Sequence, residues 1–157
     1  MTLIRYSLLC LFAVSLAHST SGQDAEKPTA EAESRETRLA DYLNRSKFVG
    51  RFTVDGREDG KLKPETYEIS KCEKLPADDM YRLTAKIVYG DTNSEVPLDL
   101  KIVWAENTPV ITIDSMWIPG MGTFSSRVMI HNNRYAGTWT HDEKGGHLFG
   151  KIEQMER

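Results

Sequence analysis

The chain has 157 residues, 20 of them Lys or Arg and 23 Asp or Glu, for a formal charge of −3. Its basic residues are spread along the sequence instead of gathering in one stretch, so composition gives no sign of a nucleic-acid partner or of strong binding to an anionic membrane. The only cysteines are Cys10 and Cys72, and a chain of this length buries about two-thirds of its unfolded surface without disulfide staples.

Met1 to Ser7 carries one positive charge, at Arg5, and is followed by the apolar run Leu8 to Val14. With small residues at Ser15, Ala17 and Ser19, the pattern predicts an export signal over residues 1–19 whose apolar part is too short to span a bilayer. The mature protein is then expected in the periplasm or outside the cell, with no membrane span. Cys10 follows Leu8 and Leu9, which lack the small side chains that lipoprotein cleavage requires. Removing the signal leaves Cys72 alone, so an intramolecular disulfide is excluded. Cys72 reads either as a reactive thiol or as a small apolar residue within a strand.

Residues 20–33 read as a flexible acidic leader, because the stretch from Gln23 to Glu33 has no aromatic or branched apolar side chain whose burial would offset the entropy of ordering. The remainder, residues 34–157, reads as one domain. It opens with a predicted short helix over 34–46, in which Ser34 caps, Glu36 favours the N-terminal dipole, and Leu39, Tyr42 and Leu43 share a face. Asn44-Arg45-Ser46 also matches a glycosylation sequon.

Eight predicted strands follow. Phe48, Gly50, Phe52 and Val54 alternate with Val49, Arg51 and Thr53, and a polar turn runs from Asp55 to Pro64. Tyr67 and Ile69 mark the second strand. In the third, Tyr81, Leu83, Ala85, Ile87 and Tyr89 oppose Arg82, Thr84 and Lys86; in the fourth, Val96, Leu98, Leu100, Ile102 and Trp104 oppose Pro97, Asp99 and Lys101. Pro97 suits a position facing an edge. The fifth strand, Val110 to Ile118, is apolar on both faces, and the sixth sets Phe124, Ser126, Val128 and Ile130 against Thr123, Arg127 and His131. Asn132-Asn133 makes a tight reversal into Tyr135 to Thr140, and a loop from Asp142 to Gly146 leads to a final strand, His147 to Ile152.

Short turns and the lack of a crossover helix favour pairing of sequential neighbours, so the expected fold is all-β, an eight-stranded antiparallel up-and-down barrel preceded by one helix. The alternative is a two-sheet β-sandwich. Gly50, Gly137 and Gly150 inside strand patterns fit the barrel, whose closure demands sharp bends or close backbone approach.

A short helix leading into Phe48-Val49-Gly50-Arg51-Phe52 resembles the start of calycins, the lipocalin and fatty-acid-binding group, where the first strand carries Gly-x-Trp beneath a helix that plugs the barrel floor. Phe52 stands here at the tryptophan position. The resemblance implies a barrel that binds a small apolar molecule. Tyr135-Ala136-Gly137-Thr138-Trp139 is similar to the Gly-Thr-Trp opening of avidin-like barrels. The blocks Thr108 to Ile111, Pro119 to Phe124 and Tyr135 to Trp139 also resemble segments of small exported bacterial proteins, which implies export and a single domain.

Candidate chemistry is sparse. His141, Asp142, Glu143 and His147 surround the last hairpin, where His141 and His147 are weak candidates for a divalent metal or simply exposed loop residues. His131 beside Asn132-Asn133 reads as a turn neighbour. Asp114 interrupts an apolar strand: facing inward it would need a partner such as Arg127 or a ligand, facing outward it is solvated. No paired carboxylates, nucleophile elbow or phosphate-cradling loop is present, so neither catalytic residues nor a cofactor are assigned. Aromatic residues on the apolar strand faces either fill the core or line a cavity. The candidate interior ligand set is Phe52, Tyr67, Tyr81, Trp104, Asp114, Phe124, Arg127 and Trp139.

Two functions of different class are therefore expected to compete. One is a barrel that binds a small apolar or amphipathic ligand. The other is a cell-envelope or protein-interaction module with a filled interior and an outer docking face near Met116 or Trp117.

Overall fold

The computed structural model describes residues 30–57, 60–89 and 92–156. The predicted export signal, the leader as far as residue 29 and the Gly90-Asp91 turn lie outside the described residues. One helix, α1 (Ala30–Leu43), precedes β1 (Ser46–Phe52), β2 (Lys63–Lys74), β3 (Met80–Tyr89), β4 (Thr92–Ala105), β5 (Thr108–Ile118), β6 (Gly122–His131), β7 (Arg134–His141) and β8 (Lys144–Gln154). Every strand pairs antiparallel with its sequence neighbours, and β1 pairs with β8, closing the barrel. This settles barrel against sandwich.

The helix differs from its predicted limits at both ends. It starts four residues before Ser34, because Ala30-Glu31-Ala32-Glu33 are strong helix formers, and Ser34 accepts a hydrogen bond from Arg38 inside the helix instead of capping it. It stops at Leu43. Arg45 takes the left-handed conformation with φ 58°, and the fully buried Ser46 hydroxyl donates to the Leu43 carbonyl at 2.7 Å, so Ser46 ends the helix and begins the first strand.

Because the chain enters β1 at the helix end, antiparallel order puts the β2–β3, β4–β5 and β6–β7 turns at that end and the remaining turns at the other. The contacts agree: Arg35 donates to the Glu106 carbonyl at 3.3 Å, Glu36 lies 3.4 Å from Lys74, and the Tyr42 hydroxyl donates to Asn133 Oδ1 at 3.0 Å. Leu39, Ala40 and Leu43 are buried against the barrel, so α1 closes one end. Phe52, which the calycin resemblance places beneath the helix, terminates β1 at the opposite end.

Burial follows the predicted alternation in β3, where Tyr81, Leu83, Ala85 and Ile87 are all buried. In β5 the alternation breaks. A bulge at Asp114 and Ser115, with φ 48° at Ser115, shifts the register between Ile113 and Met116. That extra residue brings Ile118 inside and leaves Trp117 outside, 66% exposed.

The ladder between β4 and β5 is short. It runs from Ala105↔Thr108 to Lys101↔Thr112 and stops, so β4 before Lys101 and β5 beyond Thr112 do not pair with each other. Pro97 lies within this unpaired stretch, where a missing donor removes no rung toward β5.

Candidate cavity at the open end of the barrel

Inside the barrel lies a cavity of about 160 Å³ with an almost wholly apolar wall. Phe48, Leu83, Ala85 and Leu148 line it in the core, while half-buried Tyr67, Phe124 and Trp139 line it toward the end opposite the helix. Met121, in the β5–β6 turn, also belongs to the wall and is 8% exposed, which shows that its side chain turns inward. Leu98 and Ile113 face the cavity from either lip of the unpaired β4–β5 stretch, so the short ladder weakens the wall where the cavity lies behind it.

The candidate ligand set divides according to this geometry. Tyr67, Phe124 and Trp139 are cavity wall. Phe52 is buried beside them, edge-on to Trp139 with ring centroids 5.8 Å apart, but it is not part of the wall. Tyr81 and Trp104 sit at the helix end instead. Arg35 of α1 lies 4.3 Å over the Trp104 ring, so Trp104 holds the helix to the barrel, while Lys74 of β2 lies 5.6 Å from the Tyr81 ring centre. The Tyr81 hydroxyl is buried and unpaired among the described residues, and burial, then the nearby Glu36 carboxylate, pushes its pKa well up.

Asp114 and Arg127 are corrected from interior to exterior. They form an exposed ion pair at 2.6 Å on the outer wall, where the β5 bulge presents the carboxylate to solvent. Neither reaches the cavity.

Strand parity separates the two histidines. Half-buried His141 stacks on Phe124 with ring centroids 4.2 Å apart, whereas exposed His147 belongs to the outer face of β8. Among the described residues no group of three His, Cys, Asp or Glu gathers in a way that holds a metal ion. Cys72 is buried in β2, and desolvation, followed by the charges of Glu73 and Asp41, pushes its thiol up to about 12. The small apolar strand residue is therefore the better description of this cysteine.

One polar group inside the barrel escaped the sequence reading. Glu65, 3% exposed, accepts hydrogen bonds from the Tyr67 hydroxyl at 2.8 Å and the Tyr135 hydroxyl at 2.9 Å. Burial raises its pKa, and the two phenols oppose that rise. Glu65, Gly50, Gly150 and Tyr135 occupy one cross-strand row over β2, β1, β8 and β7. The two glycines let the phenol cross: a Cβ on Gly50 would collide with the Tyr135 hydroxyl and the Phe149 carbonyl, and one on Gly150 would lie 2.7 Å from Tyr135 Cε1. The in-strand glycines signalled a close approach without naming its partner. Tyr135 itself was missing from the candidate set although it lines the cavity.

No protein-family model, curated protein or solved structure matches the chain. Among the described residues no helix is long and apolar enough to cross a membrane.

Proposed function

We propose that this chain is an exported, calycin-like barrel that binds a small apolar or amphipathic molecule in its interior. The observation that carries the reading is the interior cavity of about 160 Å³, lined almost wholly by apolar side chains. Its size is close to that of an engineered apolar cavity of about 150 Å³ that binds benzene, so a ligand of about one ring or a short aliphatic chain is indicated, not a long-chain lipid. Ser126, also on the wall and paired with Trp139, offers a hydroxyl that an amphipathic ligand would use. Export rests on the charged, apolar and small-residue order of residues 1–19.

Thermal unfolding with toluene, cyclohexane and a long-chain fatty acid tests the proposal. A ligand that binds only the folded state at a hundred times its Kd adds about 2.7 kcal/mol. A rise in Tm with toluene or cyclohexane is expected, and no rise with either small hydrocarbon refutes the reading.

A second reading, an interaction module of the cell envelope, is favoured by the 66% exposure of Trp117 on the outer face of β5. Native mass spectrometry of the gently purified mature protein separates the two. A small extra mass lost on denaturation supports the carrier, and a stable hetero-complex without such a mass supports the module.

A further inference from the structure

The outer wall around the barrel's closing seam carries a groove whose shape follows from strand register. One bank is the outward row Thr66, Val49, Lys151, Arg134 and His131; the other is Pro64, Arg51, Phe149, Ala136 and Met129. Between them runs the row containing Gly50 and Gly150, whose neighbours point their side chains into the barrel, so the groove floor is backbone. The four spacings between these five strands, at about 4.8 Å each, give a trough about 19 Å long, and the banks are two residues, or about 7 Å, apart.

The banks combine exposed apolar side chains with an excess of positive charge. Phe149, Met129 and Val49 are 43%, 48% and 37% exposed. Among the described residues Arg134 and Lys151 form no ion pair, Arg51 donates to the Leu62 carbonyl, and Glu153 is the one exposed carboxylate on the groove lining. Residues dispersed in sequence are thus brought by register to one face of a protein whose formal charge is negative.

We infer that this groove docks an extended segment of a protein partner in which acidic residues alternate with large apolar ones. Five or six residues of extended chain match the trough, at about 3.3 Å per residue. Carboxylates reach Arg134, Lys151 and Arg51, and apolar side chains cover Phe149 and Met129. A second copy of the chain is disfavoured, since a two-fold contact would set these cations against themselves. An anionic bilayer is also a poorer fit, because a trough about 7 Å wide with a backbone floor matches the width of a single extended chain and not a lipid surface.

The test is fluorescence anisotropy of the full-length protein with a labelled octapeptide alternating Asp or Glu with Leu or Phe, beside the same peptide with Lys at every acidic position. Saturable binding of the acidic peptide is expected, weakening as salt rises. The double variant Arg134→Glu/Lys151→Glu is expected to bind at least tenfold more weakly, as is Phe149→Ser, with Tm checked for both. The apolar cavity ligands give a second check that each variant folds, because none of these side chains lines the cavity. Equal binding of the Lys peptide, undiminished binding by the folded double variant, or no binding of the acidic peptide overturns the inference. Cosedimentation with phosphatidylglycerol vesicles in place of peptide binding likewise overturns it, in favour of a lipid surface.

Discussion

Filling the cavity from Ala85 is the most direct physical test of an empty interior. Ala85 is 5% exposed, points inward from β3 and forms part of the cavity wall. At about 24 cal/mol per Å³, the coefficient for sealed voids, an unfilled volume of about 160 Å³ sets an upper bound of about 4 kcal/mol on what filling it adds. Ala85→Leu adds three carbons, worth at most about 2 kcal/mol at roughly 0.8 kcal/mol each, and imperfect fit removes some of this. The expected net gain is about 1–2 kcal/mol, which for a domain of this size raises Tm by roughly 3–8 °C. Urea denaturation should show a higher midpoint at unchanged slope, because the surface exposed on unfolding barely changes. The same variant should lose the Tm rise caused by toluene, since its side chain occupies the ligand's space. Destabilisation by more than about 1 kcal/mol would mean that the interior is already full, and a retained toluene effect would place the ligand elsewhere. Either result refutes the reasoning.

Three further outcomes follow from the interior polar groups and glycines. Burial raises the Glu65 pKa above its ordinary 4.5, so the folded state binds this proton more tightly than the unfolded chain; its stabilising effect is complete below about pH 4.5 and is lost as pH rises through the folded value. Urea midpoints from pH 4 to 8 should therefore show Glu65→Gln gaining on the parent as pH rises, and a difference that stays constant with pH contradicts this. Gly150→Ala drives a Cβ to 2.6 Å from Gly50 Cα and 2.7 Å from Tyr135, and it should cost about 3 kcal/mol or more by chemical denaturation. The Cys72 thiol, held protonated up to about 12, should react with an aromatic disulfide reagent at pH 8 only as fast as the protein opens; rapid modification of the folded chain is the contrary result.

Much of the architecture was legible because a strand's alternation repeats every two residues and burial enforces it. Tyr81 to Ile87 and Leu98 to Ile102 display that period, and their inward side chains are core or cavity wall. What alternation does not encode is position along the barrel axis. Tyr81 and Trp104 share the inward face with Tyr67 and Phe124, yet the first pair lies under the helix and the second lines the cavity, because antiparallel order carries the start of β3 and the end of β4 to the closed end. The β5 bulge was also hidden. Asp114 and Ser115 are an ordinary polar pair in sequence, and only their missing cross-strand partners reveal the parity change that exposes Trp117. Alternation with Tyr67 and Ile69 puts Glu65 on the inward face, but it does not reveal the phenol that accompanies its burial, Tyr135, 70 positions away.

The two sides of the barrel make opposite use of pairing. The seam where the first and last strands meet is continuous from Ser46↔Gln154 to Phe52↔Leu148, although the chain does not connect these strands by a turn. Across that seam, Tyr135 reaches from β7 to Glu65 on β2, so a buried hydrogen bond ties strands that flank the closure. On the far side of the barrel, β4 and β5 are joined by a tight turn, and five pairs hold them before the ladder ends. Covalent connection limits how far those strands can separate, which makes that wall the place where lost rungs do least harm to closure. The cavity lies behind this wall, with Leu98 and Ile113 on its two lips. Separation of β4 from β5 beyond Lys101 and Thr112 would therefore disturb neither the seam nor the Glu65 bonds, and under the proposed ligand-binding reading a disulfide between cysteines placed across the two lips should slow toluene exchange while leaving the folded barrel intact.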